Sequence, residues 1–447
     1  MATRTPLKGF TLILNRTTTT GFIALAATTV LLLSACASSG GTDTATLSDE
    51  PITLSFTWWG NDLRTAATEE VIAAFEKENP NITVEGQFSD WSGYWDKLAT
   101  ATAANDTPDI IQMDEKYLAT YGERGALLDL NTTGDTIDLA DFPESALATG
   151  EIDGGRYGIP TALNSQAIVV NPDLFEQAGV ALPDDRTWTW DDFKNLGAQI
   201  SAGGNGESFG VQTWGFEDGS LRTWARQAGD ALYSDGEVSI KAETVQDWYE
   251  YMLALIDEGV MPPASAIVEK RTAGQAESMT ATNRAGMGTW WNSQLTALAD
   301  SSGAPLQIMR VPTRDGTVDG SAYYKTSMFW SVSSRTEHPA EAALFLDYLA
   351  NSETAGDIML TERGVPANEK IREYIKPKLS PNDVAVVEFL DDLADDIGEV
   401  EPVTPAGASA MEALLAPYTE QVLFGQTTPA QAAEDFVAAL KGAVAAG

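Results

Sequence analysis

Cysteine and histidine are nearly missing from this 447-residue chain: Cys36 and His338 each stand alone. That leaves no cluster of zinc ligands and no Ser–His or Cys–His catalytic pair. With one cysteine no disulfide can form within the chain, so stability must come from the core. His338 precedes Pro339 and reads as a helix-start or surface residue. Cations are scarce beside acids: 27 Lys and Arg against 65 Asp and Glu, a net charge of −38. Such a surface repels phosphate backbones and excludes nucleic acid as a partner. It also repels an anionic membrane face. No Gly-x-x-x-x-Gly-Lys-Ser/Thr run is present, so the chain carries no nucleotide-binding P-loop of that kind. No long apolar run follows Cys36, and nothing beyond it is expected to cross a membrane. The acid run 391–396 lacks the glycine and spacing of a calcium loop and reads as a solvated helix face.

What is present begins at the N-terminus. Arg4, Lys8 and Arg16 precede a greasy stretch from Gly21 to Leu33, which runs into Ser34-Ala35-Cys36. That order is a cationic region, an apolar region and a small-residue cleavage site. A cysteine just past the cleavage point resembles the lipobox of bacterial lipoproteins. The resemblance implies a signal peptide over 1–35, cleavage before Cys36, and acylation of its sulfur and new N-terminus. Residues 36–50, rich in Ser, Gly, Thr and Ala, form a flexible tether. The expected location is the extracytoplasmic face of the cell membrane, held by lipid alone.

The rest is long enough for two domains. The alternation in Ile52-Thr53-Leu54-Ser55-Phe56 predicts a strand, with Trp58-Trp59 leaving it as a loop. A helix carrying Ala67, Val71, Ile72 and Phe75 follows, stopped at Asn79-Pro80, and Ile82-Thr83-Val84 is the next strand. The chain thus opens β-α-β, the unit of a parallel sheet. Residues 94–104 read as a helix, and 108–114 as a buried strand ending on Asp114. In open α/β sheets, ligands gather at such strand ends. Thr189 is the expected cap of a helix, with Asp191 and Asp192 in its first turn. Asp315-Gly316 and Asp319-Gly320 supply turns. Thr428 and Pro429 open the last helix.

Several segments, in order, then resemble one family. They are Trp58-Trp59-Gly60, the run from Ala74 to Val84, Pro108-Asp109-Ile110-Ile111 and Gly158-Ile159-Pro160. Asn171-Pro172-Asp173-Leu174-Phe175, Ala285 to Trp290 and Arg363 to Asn368 complete the set. Together, from about Ile52 to Leu440, they look like the extracellular solute-binding proteins of ABC importers, in the branch similar to maltose-binding protein. The resemblance implies an α/β, two-lobed periplasmic-binding-protein-like fold of type II. Each lobe would be a mostly parallel sheet flanked by helices, and several crossing segments would form the hinge. One lobe is expected at 50–160 plus 313–365, the other at 161–312 plus 366–447. The implied function is capture of a sugar or oligosaccharide in the cleft and delivery to a permease powered by a separate ATPase. The expected protein is a monomer without cofactor or catalysis.

Twelve tryptophans are the main chemical clue to a ligand. A Trp face stacks on the apolar face of a pyranose while polar neighbours hold its hydroxyls. At least one of Trp58 and Trp59, and one of Trp290 and Trp291, is expected to touch ligand. Trp91, Trp95 and Trp248 are expected in cores. Asp62 and Asp114 can accept hydroxyl donors, with Arg64 as an alternative partner for either. Asn164 suits a sugar diol, and Gln166 can assist. The maltose-binding group often has a carboxylate near Asn164, so its sugar class is not transferred. Trp214, Tyr324, Lys325 and Arg363 are further candidates, the two cations suiting an acidic sugar. Trp224 and Arg226 rank below them. A lipid-anchored glycoside hydrolase using two carboxylates and a peptide-binding lipoprotein are the alternative readings.

Overall fold

The computed structural model describes residues 46–446 except 205, 272, 273 and 319. The leader, Cys36 and most of the tether lie outside the described residues, as does Asp319. Among the described residues, no helix is long and apolar enough to cross a membrane.

Strand β1 (Ile52–Trp59) buries Leu54, Phe56 and Trp58 on one face, as its alternation requires. It runs three residues past the expected end. Its parallel partner β2 (Ile82–Ser89) stays in register up to Trp59 opposite Ser89, so both tryptophans belong to the ladder. Between them lies α1 (Asp62–Glu78), capped by Asn61, which accepts from the Arg64 amide. Helix α2 (Trp91–Ala104) begins three residues earlier than expected, because Asp90 accepts from the Gly93 amide and caps it there. Strand β3 (Ile110–Met113) and α3 (Glu115–Glu123) follow.

Next come β4 (Ile159–Pro160), β5 (Ala162–Asn164) and β6 (Gln166–Val170). Helix α4 (Trp190–Gly203) starts at Thr189, whose hydroxyl accepts from the Asp192 amide while Asp192 accepts from the Thr189 amide. Then follow β7 (Phe209–Val211), α5 (Asp218–Gln227), α6 (Ala242–Asp257), α7 (Ala264–Lys270) and β8 (Ala285–Trp291). The chain continues through β9 (Gln307–Met309), β10 (Lys325–Thr326) and β11 (Phe329–Val332). Helix α8 (Pro339–Asn351) has His338 at its cap position and Pro339 at its first turn. Strand β12 (Val365–Pro366) and helices α9 (Pro381–Leu393), α10 (Met411–Leu423) and α11 (Pro429–Ala446) complete the order. Thr428 accepts from the Gln431 amide at the start of α11.

Three sheets organise these strands. The first has the order β2-β1-β3-β11-β4, parallel among β2, β1 and β3 and antiparallel at β11. The second has the order β9-β6-β8-β7, and only β7 with β8 is parallel. The expectation of two mostly parallel sheets fails here. The third, β10-β5-β12, is antiparallel and made of crossing segments. Strand β6 follows β5 after a single residue. It therefore starts where the sheets meet and runs away from that end, opposite to β8. One apolar core packs α1 and α8 on the first sheet, with Phe56, Phe75, Trp330 and Phe345 in edge contacts. The other gathers Trp190, Trp214, Trp248 and Phe436.

The acids of 391–396 do not form a merely solvated face. Buried Arg310 bonds Asp396 at 2.6 Å and Asp392 at 2.8 Å, and buried Arg372 bonds Asp391 at 2.7 Å. Buried cations need such partners.

Candidate functional site

Strand directions bring chemically rich residues to one end of each large sheet. Strand β1 ends at Trp59, and β3 ends just before Asp114. In the second sheet, Gln166 at the start of β6 lies opposite Trp291 at the end of β8. The two ends meet around a small cavity of about 30 Å³. Glu115 lines it from one side, Asp218, Arg222 and Trp291 from the other, and Lys325 from a crossing strand.

At the first end, aromatic rings form a cluster. Trp59 meets Trp91 edge-on at 5.1 Å and Tyr94 at 5.2 Å, and Trp95 stacks on Tyr117 at 3.8 Å. Trp95 is buried as expected, but Trp91 is 43% exposed, against expectation. It sits on the first residue of α2, where no preceding turn covers it. Trp58, at 1% exposure, packs on Phe56, and a Cβ on Gly86 would come within 2.6 Å of its ring. It belongs to the core and offers a ligand no face. Asp62 is exposed in the first turn of α1. Asp114 is buried and caps α3 by accepting from the Lys116 amide at 3.0 Å. Burial pushes its carboxyl up, and Lys325 partly offsets this.

At the second end lies a cavity of about 350 Å³, lined in part by Gln166, Gln212, Glu217, Trp290, Trp291 and Glu412. Both tryptophans are half-buried. Trp290 donates to Thr280 Oγ1 at 3.1 Å, and that hydroxyl donates to Gln212 at 2.9 Å, so the ring is fixed in place. Lys325 Nζ sits 5.5 Å above the Trp291 ring. Gly219, in the first turn of α5, lets the helix approach these groups. A Cβ there would come within 2.2 Å of Gln166 Nε2 and 2.8 Å of Trp291. Gln166 Oε1 and Glu217 Oε2 are enclosed and have no hydrogen-bond partner among the described residues.

The acids on this wall are electrostatically strained. Burial pushes the Glu217 carboxyl up. Glu412 is pushed up to about 7, first by the protein atoms around its carboxyl and then by the negative charge of Asp218. Burial also opposes ionisation of Asp218, but Arg222, Lys116, a hydrogen bond with Glu412 and Lys325 outweigh it and hold that carboxyl low.

Several expected ligand groups are already engaged. Lys325 pairs with Glu115 at 3.1 Å. Arg363 is buried and donates to Gln112 at 3.1 Å and Thr68 at 2.8 Å, with Glu362 at 3.2 Å. Burial, aided by Arg64, pushes its guanidinium down to about 9. Arg64 pairs with Glu362 at 2.8 Å rather than with Asp62 or Asp114. Trp214 is enclosed by Trp190 and Trp248, and Tyr324 is buried in the other core. Trp214 presents no face to the cavities above, whereas Tyr324 also lines the small one. Trp224 donates to Asp247, while Arg226 and Arg222 share Glu401 at 2.5 and 2.7 Å. Asn164, in the crossing sheet, donates to Ser327 at 2.7 Å and keeps Oδ1 without a partner among the described residues. Sequence reasoning missed Trp91, Glu217 and Glu412. Trp91 directly follows a capping Asp90, a signal that would have placed it on an open first turn. Among the described residues, no group of three His, Cys, Asp or Glu side chains is placed to hold a metal ion.

Residues 60–356 match the family profile described as "Bacterial extracellular solute-binding protein". Binding proteins of Brucella abortus are 29% identical over 198 residues, 44% of this chain and 47% of theirs, so the chain matches about half the length of these curated relatives. The lactose-binding protein of Rhizobium radiobacter is 24% identical over 331 residues, 68% of this chain and 72% of its own. Among solved structures, the extracellular solute-binding protein family 1 from Alicyclobacillus acidocaldarius superposes with a TM-score of 0.73. It is 27% identical, with 88% of this chain and 99% of that one covered.

Proposed function

This chain belongs to the bacterial extracellular solute-binding protein family, and we propose that it captures a saccharide between its two large sheets and hands it to a membrane permease. A separate ATPase supplies the energy, and the protein breaks no bond in its ligand. One observation carries this reading. Trp290 and Trp291 line one cavity with Gln166 and Glu217, whose acceptors have no partner among the described residues, and Trp91 beside Trp59 offers a further ring at the other sheet end. Stacking surfaces with a few fixed polar groups suit a ring that is apolar on its faces and hydroxylated at its rim. The lactose-binding relative is consistent with that chemistry.

Lipid attached at Cys36 would hold a monomer beside its importer. The crossing sheet β10-β5-β12 serves as the hinge. We read residues 313–321 with the second lobe, since Trp190 donates its amide to Thr313 and Arg226 donates to Ser321, while Tyr324 is buried with the first. Binding closes the lobes.

A thermal-shift screen over mono- and oligosaccharides, with peptides and aryl glycosides alongside, tests the proposal. A saccharide should raise the melting temperature in proportion to RT ln(1 + [L]/Kd) and lower the radius of gyration in solution scattering. Binding of peptides alone, or turnover of an aryl glycoside, would overturn it.

A further inference from the structure

The larger cavity carries a chemical preference of its own. Gln166 is 7% exposed, yet its Oε1 lines this cavity without a partner among the described residues. Glu217 Oε2 is in the same position. Both orphans are acceptors, and a buried acceptor without a donor is unstable. Glu412 lines the same space, and Asp218 adjoins Glu217 in sequence. The wall therefore carries two carboxyl groups, with Asp218, which lines the small cavity, interacting with Glu412 behind them.

Three of the cations nearby are paired. Arg222 lies 3.8 Å from Asp218 but is held at 2.7 Å by Glu401. Lys325 pairs with Glu115. Arg271, on the cavity rim, pairs with Glu420 at 3.2 Å and lies over the Phe216 ring. Lys270 also lines the cavity, exposed at the end of α7, and Lys116 faces Asp218 and Glu412 from α3. A ligand carboxylate entering here would meet like charge. A ligand cation would find carboxyl groups gathered here: Asp218 is held ionised, and the cation would itself draw Glu217 and Glu412 into the charged form.

We propose that this cavity takes a saccharide bearing a basic nitrogen, its ammonium held by Glu217 and Glu412 and a hydroxyl of the same sugar donating to Gln166 Oε1. This rests on the saccharide-binding reading above and names the class of sugar. It also reverses the expectation that Lys325 and Arg363 favour an acidic one.

Calorimetry on the purified protein at neutral pH tests it with three disaccharides: a glucosamine dimer, its N-acetylated form and a uronate dimer. The amine should bind about tenfold tighter than the N-acetylated sugar, and the uronate weakest. Glu412→Gln and Glu217→Gln should each shrink the amine's advantage to about twofold, with E412D restoring part of it. Should either variant misfold, the unsubstituted protein gives a second readout, since the amine's advantage must fall as salt rises. Equal binding of amine and N-acetylated sugar, or a preference for the uronate, would overturn the inference and leave the transport reading standing. If none of the three bound, nor any sugar of the wider screen, the transport reading itself would fail, and this with it.

Discussion

Two groups of tryptophans in this molecule share a composition and a ring spacing and differ in where they stand. Behind the second sheet, Trp190, Trp214, Trp224 and Trp248 meet at centroid distances of 5.1 to 6.2 Å and are all buried. At the strand ends, Trp59, Trp91 and Trp95 meet at similar distances, but one ring faces out. Ring–ring geometry therefore does not distinguish a core from a binding shelf. Place does. The first group is enclosed by α4, α5 and α6. The second stands where β1 stops and α2 begins, and no further layer covers it.

That contrast can be broken at its strongest point first. Trp214→Ala should cost about 3–5 kcal/mol of unfolding free energy by leaving a cavity, read from a denaturant midpoint. The folded fraction should still bind saccharide. A loss of binding without loss of stability would place Trp214 in the site. Next, Trp291→Ala should weaken saccharide binding by about ten- to a hundredfold in calorimetry while costing less stability than the core variant. Trp91→Ala should weaken binding about fivefold to tenfold with stability changed by no more than about 1 kcal/mol. If W91A instead unfolds the chain, the exposed ring is a core element after all.

The smallest effect concerns pH. The carboxyl of Glu412 is raised from the ordinary 4.5 to about 7 in the folded chain. The folded state therefore binds this proton more tightly than the unfolded one. Its contribution to stability is complete below about 4.5 and is lost as pH rises through about 7. Glu412→Gln should flatten that part of the profile and raise the melting temperature at pH 8 by about 1–2 °C. A melting profile identical to that of the parent would remove Glu412 from the strained cluster.

Local grammar was readable from the sequence. The opening β-α-β unit, the Thr189 capping box and the Thr428-Pro429 start all follow from period and cap chemistry. Glu217 and Glu412 were not readable, because they lie far apart in sequence and only the fold brings them to one wall. The pairing of Arg310 with Asp392 and Asp396 was hidden for the same reason. Strand direction in the second sheet was equally silent, since a strand's residues carry no mark of which way it runs. Arg363 looked available because a lone cation in sequence shows no partner, whereas Gln112, Thr68 and Glu362 enclose it.

The crossing sheet has a consequence for how the chain reaches this state. Strand β3 pairs with β11, so the first sheet, whose β1 begins at Ile52, awaits residues 329–332, made after nearly all of the second sheet's chain. Strand β12 arrives later still to pair with β5. Contacts so distant in sequence form slowly. The first lobe cannot complete its sheet during early synthesis, and the chain stays open until most of its length is available. A protein that is to be threaded through a membrane before it folds gains time from that order of assembly.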